Sequence, residues 1–387
     1  MVFENGRKVL YVQVLRALYG MLIAALLWYK KFRSELESVG FEFNNYDACV
    51  GNRIVKGKQQ TVRFHVDDLM SSHVDSKVND EFLKWLNEMY GEHGEVTATR
   101  GKVHDYLGMV LDFRTKGKMI VDMSKYSRKM WRDFEEKYGK LGTAKTIAKE
   151  GVFAPSKGEV LSKEMAEDYH HFVARGLFSA TRGRPDEQTV ISAMAGRVKE
   201  PRQSDWDMLL HFMRFLKATW EDVLTLSADN LHVIKWYVDA SFAVHPDFRS
   251  HSGGVMTMGE GAIQSMCQKQ KLNTQSACTA ELVSADDASS GILWTKLFME
   301  DQGYEIEQNI LYQDNKSTIL LLENGKKSSG KRTRAINICY FFLTDQVQKG
   351  NLTVRYCPTD LMLGDYMTKA TQGKKFDELR RAIMGMQ

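Results

Sequence analysis

The chain has 387 residues, 43% hydrophobic and 26% charged, which excludes a single small module and wholesale disorder and suggests two to three domains. Its 53 Lys and Arg against 49 Asp and Glu leave a net charge of +4, too small to name a nucleic-acid partner without local clustering. Five cysteines with no C-x-x-C pair, and no histidines at zinc spacing, fit a reduced intracellular protein.

The first apolar run, Met21 to Trp28, is far short of the roughly 20 residues that span a bilayer. It follows Arg16 and lacks a small-residue cleavage pattern, so it reads as part of a buried helix, Leu18 to Val39, in a protein that is neither secreted nor membrane-bound. A cytoplasmic particle or the nucleus is the expected location. An extended stretch, Thr61 to His65, ends at Asp67-Asp68, and Asp75 to Tyr90 has helical spacing at Val78, Phe82, Trp85 and Met89. Tyr106 to Phe113 and Lys118 to Asp122 read as strands joined by Thr115-Lys116-Gly117.

From Ser124 to Asp229 the pattern is mainly helical and rich in Lys, and it shows no chemical constellation. From Lys235 it changes to strand, helix, strand, helix. Trp236 to Phe242, Val255 to Met258 and Ala262 to Gln268 suggest a meander with Gly253-Gly254 and Gly259 to Gly261 at its turns. Thr279 to Met299 is a predicted helix, Asn309 to Gln313 a strand, Ser317 to Glu323 and Lys331 to Val347 helices, and Leu352 to Tyr356 a last strand. The expected class is α+β, in three parts: residues 1–123, a helical connector at 124–229, and a mixed α/β domain at 230–387.

Four acids sit among apolar residues or at element ends: Asp239 in a strand, Glu281 in the first turn of the long helix, Asp314 at a strand's carboxyl end and Asp365 opening the last helix. Singly, each has an ordinary explanation as a turn residue, a cap or a helix-dipole charge. Together they could share divalent cations, removing the cost of desolvating each alone. Two Mg²⁺ ions about 3.5 to 4 Å apart can clamp the attacking and leaving oxygens of a phosphodiester.

Trp236-Tyr237-Val238-Asp239-Ala240-Ser241, Thr279-Ala280-Glu281-Leu282, Asp314-Asn315-Lys316-Ser317 and Gly364-Asp365-Tyr366-Met367-Thr368-Lys369 resemble the four carboxylate blocks of the ribonuclease H domain of copia-type LTR retrotransposons. Arg249-Ser250-His251-Ser252-Gly253-Gly254 and Gln268-Lys269-Gln270-Lys271 also resemble that family. The resemblance implies cleavage of RNA in an RNA/DNA hybrid, with two Mg²⁺ ions, or Mn²⁺ in their place, held by Asp239, Glu281, Asp314 and Asp365. One departure is Arg334-Ala335-Ile336-Asn337-Ile338, where the family has Lys-His-Ile-Asp-Ile.

Upstream, Phe64-His65-Val66-Asp67-Asp68 reads on its own as a hairpin turn. It is also similar to the Tyr-Val-Asp-Asp block of a reverse transcriptase palm, as are Leu18-Tyr19-Gly20-Met21, Trp28-Tyr29 and Asp105-Tyr106-Leu107-Gly108-Met109 to other polymerase motifs of the same family. Thr181-Arg182, Arg184-Pro185-Asp186 and Phe215-Leu216-Lys217-Ala218-Thr219 resemble its connector. The further palm aspartate that lies upstream in the family has no counterpart here, and Ile23-Ala24-Ala25-Leu26 replaces the expected Gln-Ala-Pro-Arg. Asp67 and Asp68 are therefore expected to be residual polymerase residues in a truncated Pol fragment. A missing polymerase portion or a second Pol chain is an expected partner. The alternative is a decayed, inactive nucleic-acid-binding remnant.

Lys326, Lys327, Lys331, Arg332 and Arg334 form a basic run without an acid. It reads as a solvated loop or, with Lys269 and Lys271, as a surface for the hybrid backbone, where cation contacts position without reading sequence.

Overall fold

The structure, a computed structural model, describes residues 2–13, 18, 20–328 and 342–386. It is mixed α/β, with helices and several sheets, and divides into two compact units, Met1–Ala98 and Thr99–Gln387.

In the first unit, β1 (Val2–Glu4) and β2 (Arg7–Val9) form a small antiparallel pair. Helix α1 (Leu22–Ser38) precedes a sheet of β3 (Glu42–Phe43), β4 (Val50–Val55), β5 (Lys58–His65) and β6 (Asp68–Ser72), antiparallel in that order, and α2 (Ser76–Tyr90) follows. Asp75 caps α2 by accepting a hydrogen bond from the Lys77 N–H, and Val78, Phe82 and Leu86 are its buried stripe. The apolar run expected to be buried is not: Ile23, Leu26 and Leu27 are about half exposed. Helix α1 packs through its later residues, Phe32 and Leu36, with the Phe32 ring edge-on to Phe64 of β5.

The second unit opens with β7 (Val103–Tyr106), β8 (Met109–Asp112) and β9 (Lys118–Asp122). The strand expected over Tyr106 to Phe113 is present as β8 but starts only at Met109, because Leu107 and Gly108 both take positive φ, 50° and 78°, and make a tight hairpin turn from β7. Helices α3 (Ser124–Tyr138), α4 (Lys163–Ala180), α5 (Gln188–Ala195) and α6 (Gln203–Thr219) follow, and β10 (Leu224–Ser227) pairs with β9.

The remaining chain builds a five-stranded sheet from β11 (Val233–Ser241), β12 (His251–Thr257), β13 (Gln264–Lys269), β14 (Gln308–Gln313) and β15 (Thr353–Tyr356), in the order β13-β12-β11-β14-β15. The first three strands are antiparallel, and β14 and β15 are parallel additions. Between them run α7 (Ala277–Asp301), α8 (Lys316–Asn324) and α9 (Phe342–Gln348), while α10 (Gly364–Thr368) and α11 (Gly373–Met384) close the chain. Strand alternation sends Ile234, Trp236, Val238 and Met256 into a core with Leu282 and Ile292 of α7, whereas Val255 packs in the core that holds Tyr366 and Met367 of α10. The sheet is thus covered on both faces.

Gly253 and Gly254, expected at a turn, lie inside β12. A Cβ at Gly253 would come within 2.5 Å of Thr368 Cγ2 and 2.7 Å of Met367 Cβ, so the glycine is there for the close approach of α10. The connector also has a buried charge network, built on Arg184-Pro185-Asp186 and joined by distant partners that no local pattern signals. Arg184, fully buried, donates to both oxygens of Asp186 at 2.9 and 3.0 Å and lies 3.2 Å from Glu187, while Arg380 of α11 reaches Asp186 at 2.9 Å and Asp222 at 2.6 Å.

Candidate metal centre

Asp239 is the seventh residue of β11, flanked by apolar neighbours that hold the strand in the sheet, and only 2% of its surface is exposed. Parallel β14 ends beside it, delivering Asp314 to the same end of the sheet. Asn315 then starts α8, its Oδ1 accepting from the N–H groups of Ser317 and Thr318. Helix α7 is capped by Ser276 and supplies Glu281 from just beyond its first turn, slightly deeper than expected. The Ser284 hydroxyl, one turn further on the same helix, donates at 2.7 Å to the Asp239 carbonyl and ties α7 to β11.

These elements bring one oxygen each of Asp239, Glu281 and Asp314 within 4.8 Å of one another, among the described residues the one such acidic, histidine or cysteine group. Burial pushes the Asp239 carboxyl up to about 7, partly offset by Lys369 and reinforced by Asp365. Burial, then the charges of Asp239 and Asp314, raises Glu281 well above the ordinary carboxylate range. Gln313 Nε2 donates at 3.3 Å to Glu281, its Oε1 accepts from the Asp314 and Asn315 N–H groups, and Thr359 Oγ1 donates to Asp314 at 2.9 Å. The donor set is all hard carboxylate oxygen, crowded and poor in protein cations on its Glu281 and Asp314 side, and it fits a divalent cation of the Mg²⁺ or Mn²⁺ type.

Asp365 is brought to the same place but held differently. Its Oδ1 accepts from Lys369 and its Oδ2 from Lys375, and the Lys369 ammonium also lies 3.3 Å from Asp239 Oδ2. Burial opposes the Asp365 charge, yet the two lysines keep its carboxyl below the ordinary value. The Thr368 hydroxyl donates to Asp239. No role was assigned to Lys369, Lys375 or Thr368 on sequence grounds, although the four-residue spacing of Asp365 and Lys369 is a readable helical ion pair.

Asp67 and Asp68 lie elsewhere, in the first unit. Both are exposed at the β5–β6 hairpin, where His65 pairs with Asp68, and no third metal-ligating side chain gathers with them among the described residues. Trp28 Nε1 donates at 2.8 Å to the Val66 carbonyl and fixes that turn. Lys269, at the end of β13, is paired with Asp247 at 2.7 Å, and Lys271 is exposed just beyond. Lys326 and Lys327 fall in a single helical turn, Gly325–Ser328, while Lys331, Arg332, Arg334 and the first part of the helix expected from Lys331 lie outside the described residues. Among the described residues no helix is long and apolar enough to cross a membrane.

What the fold and the cluster define is a mixed α/β protein with three converging carboxylates that could hold a metal ion. The chain is related along almost its whole length to retrotransposon Pol polyproteins, in agreement with the motif resemblance. It is 25% identical over 390 residues, 98% of this chain and 28% of the relative, to the retrovirus-related Pol polyprotein from transposon TNT 1-94 of Nicotiana tabacum. It is 25% identical over 377 residues, 95% of this chain and 25% of the relative, to that from transposon RE2 of Arabidopsis thaliana. A transposon Ty5-1 protein of Saccharomyces cerevisiae is 24% identical over 261 residues, 67% of this chain and 82% of the relative. The chain spans about a quarter of the length of the two plant polyproteins. No family model matches it.

Proposed function

We propose that this chain is a fragment of a copia-type Pol polyprotein, with a partial reverse-transcriptase palm and following hairpin in residues 1–123, a mainly helical thumb/connector in 124–229 and a ribonuclease H-like domain in 230–387 that cleaves RNA in an RNA/DNA hybrid. The observation that carries the reading is the convergence of Asp239, Glu281 and Asp314 within 4.8 Å from a strand, a helix and a parallel strand end. In this reading these three hold Mg²⁺, which when bound supplies charge stabilisation at a phosphodiester and a nucleophile at neutral pH. Gln313 orients Glu281 and the start of α8, Thr368 fixes the Asp239 carboxylate, and Asp365 lies against Asp239 as the fourth acid. Lys269, Lys271 and the run at 326–334 are proposed to follow the hybrid backbone. The protein is proposed to act inside the cell, in a cytoplasmic particle or the nucleus, beside further polymerase sequence or a second Pol chain.

Primer extension is not part of the proposal, since Asp67 and Asp68 stand without a third acid among the described residues. Ala335 and Asn337, in place of the family's His and Asp, favour a second reading, a remnant that binds hybrid without turnover.

The test is a labelled hybrid incubated with the purified full chain in Mg²⁺ and in Mn²⁺, beside Asp239→Asn and Asp314→Asn. RNA cleavage by the wild type and its loss in both variants is the expected outcome. Equal cleavage by all three would overturn the assignment, and hybrid binding without cleavage would select the remnant.

A further inference from the structure

We infer that Lys369 occupies the place of a second divalent cation, so that the chain binds one ion tightly at Asp239, Glu281 and Asp314 and admits a second only by displacing the Lys369 ammonium from between Asp239 and Asp365. The inference rests on the reading of the carboxylates as a metal site. It adds the order and inequality of the two binding events, and the residue that sets them.

The geometry carries it. Lys369 Nζ is shared by the two carboxylates that a second ion would have to bridge, lying 3.3 Å from Asp239 Oδ2 and bonded to Asp365 Oδ1. Asp365 Oδ2 is already taken by Lys375. Each Asp365 oxygen therefore already holds an ammonium group that an incoming cation would have to compete with. On the opposite side, Glu281 and Asp314 have no ammonium or guanidinium partner among the described residues, and their contacts there are the amide of Gln313, the Ala240 N–H and the hydroxyl of Thr359. With all four carboxylates ionised, the two ammonium groups among the described residues would leave two negative charges, the charge of one divalent ion. That charge is concentrated at the Glu281 and Asp314 end. Lys369 keeps 44% of its side-chain surface exposed, so its chain has a path to water and a second ion, which would replace its charge between the two carboxylates, is hindered rather than barred.

The experiment is a Mn²⁺ titration of the full chain, followed by electron paramagnetic resonance of free ion and by calorimetry, with no nucleic acid present. The wild type should bind one ion tightly and a second much more weakly. Lys369→Met should tighten the second ion by about tenfold or more, the scale of one like charge removed from a partly exposed site, with the first ion changed less. Lys369→Arg should restore the wild-type inequality, and Asp365→Asn should weaken the second ion alone. Two equal sites in the wild type, or the same second-ion affinity in wild type and Lys369→Met, would overturn the inference while leaving the metal site standing. A wild type that binds no Mn²⁺ sensitive to Asp314→Asn would overturn both.

Discussion

Gly364 stands directly over Asp239: a Cβ built on this glycine would lie 2.9 Å from both the Cβ and the backbone nitrogen of Asp239 and 3.1 Å from the Tyr237 carbonyl. The first helical residue of α10 is therefore seated on the strand that carries the central carboxylate, and the absence of a side chain sets how close Asp365 comes to Asp239. Gly253, one strand over, makes the matching approach to Thr368 and Met367. The two glycines together form the seat of α10.

It follows that Gly364→Ala cannot be absorbed by a side-chain rotation, because the atoms it meets are backbone and Cβ atoms. The helix must shift away from β11. The expected cost is about 1–3 kcal/mol, as for other insertions into a packed site, read by urea unfolding. Loss of the Lys369 contact to Asp239 should accompany it. An unchanged midpoint would show that α10 is not held at this distance.

The buried carboxylates make a prediction about metal removal. The Asp239 carboxyl titrates near 7 when folded against an ordinary 3.8, so the folded chain holds a proton that the unfolded chain releases. Its stabilising contribution is full below pH 3.8 and is lost as pH rises through about 7. At pH 8 in EDTA the ionised Asp239 is a net burden, and Asp239→Asn should melt higher than wild type. Added Mg²⁺ should raise the melting temperature of the wild type and leave the variant nearly unmoved. A variant less stable than wild type in EDTA would contradict the account.

Much of this site was legible because each acid sits in a local context with its own pattern: Asp239 in an apolar strand, Asp314 where a strand gives way to an Asn cap, and Glu281 near the start of a long helix. The expected elements 236–242, 279–299, 309–313 and 317–323 each overlap a strand or helix of the structure. Contacts between distant segments were not legible. Nothing near Asp365 announces Lys375 as its second partner, and nothing in the hairpin at Lys118–Asp122 announces Leu224–Ser227 as the next strand of its sheet. Gly253-Gly254 reads as a turn because a glycine pair carries two signals, positive φ and close approach, and only packing tells them apart. The apolar stretch from Met21 reads as core because hydrophobicity alone does not say which turns of a helix meet the sheet.

The Arg184 network should be among the costliest places to mutate. Arg184 and Asp186 are fully buried, with Arg380 closing the pair from α11. Truncating one partner leaves an uncompensated buried charge, so Arg184→Met should cost roughly 3–5 kcal/mol. By contrast, Lys129→Ala, which removes an exposed partner of Asp133 at 2.9 Å, should cost no more than about 0.5 kcal/mol. Chemical denaturation of both variants checks the ranking, and equal losses would mean that the network is not desolvated in solution.

Glu187 makes the same network sensitive to pH. Burial, working against the attraction of Arg184 and reinforced by the charge of Asp186, pushes its carboxyl up to about 7 from an ordinary 4.5. The sign is opposite to that of a salt-bridged acid. The folded state binds the proton more tightly than the unfolded state, so this contribution is complete below pH 4.5, falls as pH rises, and is gone above about 7. Asp186, which burial opposes but Arg184 and Arg380 hold down to about 2, acts in the other sense, losing its contribution only as pH falls below an ordinary 3.8. The two windows do not overlap. Glu187→Gln keeps the shape and removes the proton equilibrium, so the stability of wild type minus that of the variant should decline between pH 4.5 and 7. Its slope should be at most about 1.4 kcal/mol per pH unit, one proton's worth. Taking the difference cancels the titration of Asp239, which falls in the same range and is present in both proteins. Unfolding curves at half-unit intervals give the slope directly, and a flat difference would place the proton elsewhere in the network.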